Sequence, residues 1–210
     1  MYNVLVADDH AVVRKGIARI LEEAGDFRCA GEASDSGEVL KLLDSGAWDV
    51  LVLDLNMPGR GGLDVLRDIR RRWPRLPVLI LSMHDEKQFA ARVLKAGASG
   101  YMNKESAPHE LVKALRKIVT GGTYVSPVTA ETLAADLQSA EPNLPHAQLS
   151  DREFQVLCLI ASGKTVSQIA KEISLSVKTV STYRARILEK MHMKTNAQLT
   201  RYAIEKKLVE

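Results

Sequence analysis

The sequence predicts an α/β unit built on a parallel sheet, followed by a smaller all-α unit. Three observations carry that expectation. Short apolar runs, each ending in a polar residue, recur through the first 120 positions; a stretch rich in Pro, Gly and small polar residues interrupts the chain near 139–146; and beyond it the pattern turns to closely spaced helix-start signals. Charge follows the same division. There are 18 basic and 17 acidic residues over 1–120, three acidic and no basic over 121–147, and 11 basic against six acidic over 148–210, so the whole-chain value of +3 conceals a basic C-terminal region. A polyanionic partner is expected for that part.

The strands come first. Val4-Leu5-Val6-Ala7 runs into Asp8 and Asp9, Val50-Leu51-Val52-Leu53 into Asp54, Val78-Leu79-Ile80-Leu81 into Ser82, and Gly100-Tyr101-Met102-Asn103 into Lys104. Runs this short and this apolar fit strands buried on both faces, which requires a parallel sheet covered by helices. Cys29 falls in a further predicted strand, and a helix is expected over 108–120. In parallel sheets the ligand site lies beyond the carboxyl ends of the strands. Asp8, Asp9, Asp54, Ser82 and Lys104 are therefore expected to converge on one crevice.

Taken singly, each of these residues has an ordinary explanation: an Asp or Ser at a strand end caps a helix or shapes a turn, and a lone Lys is a solvated surface residue. The joint register of four strand ends is what selects the functional reading. Three carboxylates and one ammonium leave a formal charge of about −2, and like charges in contact resist joint ionisation. A hard dication relieves this. Mg²⁺ suits oxygen donors without a Cys or His ligand pair, and it keeps coordination positions for water and phosphate oxygens. Asp54 can accept a phosphoryl group as an aspartyl phosphate, Asp9 with Asp8 can hold the metal, and Lys104 and Ser82 can bind phosphoryl oxygens.

The pair Asp8-Asp9, the segment Asp54-Leu55-Asn56-Met57-Pro58-Gly59, Ser82 and Lys104 resemble the motif positions of response-regulator receiver domains. That resemblance implies a flavodoxin-like fold with five parallel strands in the order 2-1-3-4-5. It also implies that Asp9 and Asp54 ligate Mg²⁺ directly, with the Asn56 backbone carbonyl in the same shell and Asp8 acting through water. Ser82 and Tyr101 are then the switch pair, the hydroxyl moving toward the phosphoryl group as the ring turns inward. Two positions depart from the pattern. Glu105 stands where many receivers have a proline after the lysine, so no cis bond is expected there, and Asn103 replaces an apolar strand residue.

Composition bounds the remaining possibilities. With 210 residues and 46% hydrophobic positions, the chain can build two small cores. No run approaches the roughly 18 apolar residues of a membrane span, and the N-terminal MYNVLVADDH lacks a signal-peptide pattern, so a cytoplasmic protein without membrane contact is expected. Cys29 and Cys158 read as buried free thiols. His10, His84, His109, His146 and His192 have no metal-ligand spacing, and His10 reads as a loop or helix-start residue despite its position beside Asp9.

Domain boundaries are expected at 1–122, 123–147 for a linker with a short helix opening at Val125-Ser126-Pro127, and 148–210. In the last segment, Ser150 to Glu153, Thr165 to Gln168 and Thr195 to Gln198 each fit the capping box, Ser176 can cap a further helix, and Gly163 fits a left-handed helix end. Helices expected over 166–173 and 177–191 are joined by Ser174-Leu175-Ser176, which is helix-turn-helix spacing. On the second of these, Val180, Ile187 and Met191, with Tyr183 nearby, form an apolar face. Lys178, Ser181, Thr182, Ala185, Arg186 and Glu189 point the other way, as on a helix that enters the major groove.

Leu149 to Glu153, Val156-Leu157, Gly163, Ile169-Ala170, Ser176, Lys178-Thr179-Val180 and Lys190-Met191 resemble the LuxR-type helix-turn-helix output domain. With the receiver, the whole chain resembles a NarL/FixJ-type two-component response regulator, and Tyr183, in place of the more frequent histidine, is similar to the BvgA and EvgA subgroup. The resemblance implies DNA contacts from Lys178, Thr179, Ser181, Thr182, Tyr183, Arg184, Arg186 and Lys190. It implies a sensor histidine kinase as phosphoryl donor, a homodimer paired through the last helix at 196–206, and double-stranded DNA with paired half-sites. Two other classes remain open at this point. A haloacid-dehalogenase-type phosphatase needs a second Asp two residues after the nucleophile, where this chain has Asn56, so no enzyme beyond slow autodephosphorylation is expected. A protein-binding adaptor would use the C-terminal helices on a protein partner instead of DNA.

Overall fold

The computed structural model describes residues 1–57, 62–83, 86–127, 129–131, 144–173, 175–206 and 208–209. The chain forms two compact units, Met1–Ser139 and Ala140–Glu210.

The first unit is a five-stranded parallel sheet: β1 (Tyr2–Ala7), β2 (Phe27–Ala33), β3 (Val50–Asp54), β4 (Val78–Ser82) and β5 (Gly100–Asn103), in the spatial order β2-β1-β3-β4-β5. Every residue of β3 and β4 is buried, because helices cover both faces of a parallel sheet. The helices are α1 (Ala11–Ala24), α2 (Ser36–Ser45), α3 (Gly62–Arg72), α4 (Glu86–Lys95) and α5 (Ala107–Val119). Ile17 and Leu21 of α1 and Leu111, Leu115 and Ile118 of α5 pack with Val4, Val6, Val52 and Leu81 in one core cluster. Edge strand β2 alternates instead, so Cys29 is only half-buried, a correction to the expectation of a buried thiol there; Cys158 is buried, and both thiols are free.

The other edge is handled by the chain after α5. Tyr124 accepts from the Tyr101 amide and donates to the Ser99 carbonyl, so it satisfies edge groups of β5 from within the segment expected to be linker. Gly100 makes this possible, since a Cβ there would lie 2.8 Å from the Tyr124 carbonyl oxygen. Most of the remaining linker expectation, including the two-proline segment up to residue 143, falls largely outside the described residues.

Among the described residues, the second unit holds a 3₁₀ turn at Pro145–Gln148 and four helices: α6 (Asp151–Ala161), α7 (Val166–Glu172), α8 (Val177–Lys190) and α9 (Asn196–Glu205). All three expected capping boxes are formed, at Ser150/Glu153, Thr165/Gln168 and Thr195/Gln198, and Ser176 caps α8 through the Thr179 amide. Gly163 at φ +81° closes α6: its amide donates to Ile160 and the Lys164 amide to Leu159, which satisfies the last free carbonyls. Helix α8 ends in the same way without a glycine. His192 sits at φ +54° while its amide donates to Glu189 and the Met193 amide to Leu188. Helix α6 packs against the other three helices of the unit.

Candidate functional site

The carboxyl ends of the strands bring the predicted polar residues together. Asp8 and Asp54 are each 1% exposed, Ser82 and Tyr101 are fully buried, and Asp9 sits at the mouth. Lys104 opens a single 3₁₀ turn (Lys104–Ser106) directly after β5, and its Nζ lies 2.6 Å from Asp8 Oδ2 and 2.8 Å from Asp54 Oδ2. Asn103 explains itself here. Its side-chain oxygen accepts from the Glu105 amide and caps the turn that aims Lys104 into the crevice, so a polar residue ends β5 for a local reason.

Backbone groups fix the carboxylates. Asp54 Oδ1 accepts from the Asn56 amide at 3.1 Å, and Asp8 Oδ1 from the His10 amide at 2.9 Å. Arg14, which sequence reasoning did not single out, donates from Nη1 to the Asp8 carbonyl at 2.7 Å and from Nε to Glu32 on β2, tying the start of α1 to the strand end that carries the acids. Gly62 lets α3 start against the loop that follows Asp54: its amide donates to the Leu55 carbonyl, and a Cβ would lie 2.5 Å from the Leu55 Cα.

The electrostatics are those of a crowded anionic site. Burial pushes the Asp54 carboxyl above its ordinary range, by more than the adjacent Lys104 ammonium pulls it back. Burial also works against the Lys104 ammonium, but Asp54 and Asp8 together outweigh it and hold the group above its ordinary value. One ligand atom from each of Asp8, Asp9, His10 and Asp54 lies within 4.8 Å of the others, a spacing that fits a single cation. His10 was not expected in this group; its place directly after the acid pair was the only signal in the sequence.

In the second unit, α8 divides as its sequence predicts. Val180, Ile187 and Met191 are buried, while Lys178, Ser181, Thr182, Ala185, Arg186 and Glu189 are exposed. Thr179, Tyr183, Arg184 and Lys190 are half-buried. Three of these four already have partners: Thr179 Oγ1 lies 2.8 Å from Ser176 Oγ, Arg184 Nε donates to Asn196 Oδ1 at 2.6 Å, and Lys190 Nζ lies 2.6 Å from the buried Glu153 carboxylate. Lys178, Ser181, Thr182 and Arg186 thus form the outward polar face, and Lys190 is committed to α6. The Leu175 amide donates to the Ala170 carbonyl and closes the turn between α7 and α8.

A parallel sheet ending in three acids and a lysine, carried with a helix-turn-helix unit, defines the class of response regulators. Residues 4–116 match the response regulator receiver domain, and residues 147–203 the bacterial regulatory proteins of the luxR family. Response regulator UvrY of Escherichia coli (strain K12) is 38% identical over 97% of this chain and 94% of its own length. Response regulator GacA of Pseudomonas aeruginosa is 37% identical over 100% and 99%. Among solved structures, RcsB of Salmonella enterica serovar Typhimurium, bound to promoter P1flhDC in the presence of the phosphomimetic BeF3⁻, is 30% identical and matches with a TM-score of 0.61 over 96% of this chain and 97% of that one. A further RcsB structure holds two dimers bound to two parallel DNAs. The chain belongs to the NarL/FixJ family of response regulators.

Proposed function

We propose that the protein is a cytoplasmic transcriptional regulator whose DNA binding is controlled by phosphorylation of Asp54. The observation that carries this reading is the Lys104 ammonium shared between the buried Asp8 and Asp54 carboxylates. That arrangement holds Asp54 in place and leaves a cation donor where a phosphoryl oxygen would arrive.

An Asp54 carboxylate oxygen attacks phosphorus, the bond to the phosphohistidine nitrogen of a sensor kinase breaks, and that nitrogen leaves with its electron pair. Mg²⁺, when bound, screens the charge on the incoming group. Asp9, Asp54 and the Asn56 carbonyl are its proposed ligands, with Asp8 acting through water, and the carboxylate donor set fits a hard dication. Lys104 pairs with one phosphoryl oxygen and the Ser82 hydroxyl with another, and Tyr101 responds to the Ser82 displacement as the second half of a switch. No carboxylic acid follows Asp54 at the position of a general acid, since Asn56 stands there, so hydrolysis of the aspartyl phosphate is slow and the protein acts as a switch more than an enzyme.

The signal passes from a receiver at 1–122, through a linker at 123–147, to an output domain at 148–210. There the outward face of α8 binds double-stranded DNA through Lys178, Ser181, Thr182 and Arg186, with Thr179, Tyr183, Arg184 and Lys190 at its margin. A homodimer sets two recognition helices about 34 Å apart or a multiple of that, which implies paired half-sites. RcsB, a structural relative, is seen on DNA as dimers, which supports this part of the reading. The experiment is labelling by acetyl phosphate with Mg²⁺. Wild-type protein takes up one phosphoryl group and Asp54→Asn takes up none; stoichiometric labelling of the variant contradicts the assignment.

A further inference from the structure

The chain has two tryptophans, and both line one cavity. Trp48 lies in the loop before β3 and Trp73 in the loop before β4, so the cavity sits at the amino ends of these strands, at the opposite end of the sheet from Asp54 and Ser82. Its volume is about 570 Å³, within the range of roughly 300–1,000 Å³ usual for small-molecule sites. Leu43, Pro74, Leu76 and Pro77 supply most of the remaining apolar wall.

Both indoles are fixed by their neighbours. Trp48 Nε1 donates to the Leu42 carbonyl at 2.8 Å. Its ring rests on two glycines: a Cβ on Gly46 would lie 2.7 Å from Trp48 Nε1, and one on Gly31 would lie 2.5 Å from Trp48 Cη2. Gly31 follows an irregularity in β2, where the register with β1 steps from Val4 opposite Cys29 to Leu5 opposite Gly31. Trp73 carries the Arg72 guanidinium 4.3 Å from its ring centroid, and Asp44 holds Arg72 in turn at 2.5 Å. The Leu76 amide closes a turn onto the Trp73 carbonyl, and Pro74 and Pro77 stiffen the same loop. Each indole is only half-buried, which leaves aromatic surface on the cavity. Rings fixed in advance lose little conformational freedom when a ligand docks on them.

Charge selects among ligands. Two ionic side chains line the cavity, Asp49 and Arg75. Asp49 Oδ2 already accepts from the Asn3 amide at 2.7 Å, whereas the exposed Arg75 guanidinium has no hydrogen bond or ion pair among the described residues. A free guanidinium matches a carboxylate through two parallel hydrogen bonds.

We propose that this cavity binds a planar aromatic carboxylate, with its ring against Trp48 and Trp73 and its carboxylate on Arg75. Indole walls favour a flat ring through offset or edge-to-face contacts, a gain beyond the burial of apolar area that an aliphatic acid of the same charge would share.

The test follows the two indole N–H signals in ¹H–¹⁵N spectra of full-length protein, since both tryptophans report on the cavity. The probe is 2-naphthoate. In wild type both signals shift and saturate with one equivalent bound. Decahydro-2-naphthoate, a saturated acid of the same charge, binds about tenfold more weakly, and Arg75→Gln weakens 2-naphthoate binding about tenfold. Absence of a saturable shift, equal affinity for the two acids, or unchanged affinity in Arg75→Gln overturns the proposal. Arg75 is exposed, so its substitution leaves the fold intact, which matching thermal unfolding checks. The comparison of the two acids uses wild type alone and stands without the variant.

Discussion

At Asp54 and Lys104 the proposed phosphoryl chemistry depends on a charge balance that burial makes severe. Asp8 and Asp54 are both nearly inaccessible and share one ammonium, so Lys104→Met leaves two buried carboxylates with no cation between them. We expect phosphorylation by acetyl phosphate to slow about a hundredfold in that variant, read as the initial rate of label incorporation at fixed Mg²⁺; an unchanged rate removes Lys104 from the phosphoryl-binding role. These residues were legible in the sequence because a parallel sheet fixes where its strand ends point, so four apolar runs and their terminal residues define a site without any knowledge of contacts. The parts that were not legible depend on side-chain direction. His10 turns back onto Asp8 and Asp9, Asn103 caps the turn bearing Lys104, and Arg14 reaches the Asp8 carbonyl across a turn of α1. A spacing rule carries no information about any of the three.

Among the helices, the local signals were complete at the starts and incomplete at the ends. Each capping box is a four-residue code with both hydrogen bonds specified, so Ser150, Thr165 and Thr195 could be placed from sequence. His192 could not, because a left-handed helix end is expected of glycine or asparagine. His192→Gly relieves that conformation and should stabilise the second unit by about 1 kcal/mol, measured as a shift in the urea midpoint of its NMR signals; a lower midpoint contradicts the argument. Glu153 joins capping to packing. Burial alone would raise its carboxyl, but the Lys190 ammonium and the Ser150 amide and hydroxyl outweigh burial and hold it below the ordinary range. Its stabilising contribution is therefore fully present above the unfolded-chain value of about 4.3 and is lost as pH falls through the lower folded value. The same NMR-detected urea titrations below pH 5 should show the second unit losing stability in wild type, with Glu153→Gln less pH-dependent. Lys190→Ala, which leaves the buried carboxylate unpaired, should cost about 1–2 kcal/mol.

At the scale of the whole molecule, a receiver of nearly balanced charge is carried with a helical unit of 11 basic and six acidic residues over 148–210. That asymmetry predicts DNA affinity that falls with salt, and Lys178→Ala or Arg186→Ala should weaken binding and reduce the salt slope by about one each; unchanged slopes would move the output toward a protein partner. The change from apolar strand runs to helix-start signals was legible in the sequence, whereas the Tyr124 contact with β5 was not, since a single bridge leaves no periodic trace. No helix among the described residues is long and apolar enough to cross a membrane. The central claim couples Asp54 to DNA, and the most direct measurement is selection from random duplex DNA by full-length protein, with and without acetyl phosphate and Mg²⁺, followed by sequencing of the bound fraction. Enrichment of a sequence with two half-sites that strengthens on phosphorylation, and does not strengthen in Asp54→Asn, is the predicted result. No enrichment in either state while Asp54 is labelled would contradict the account.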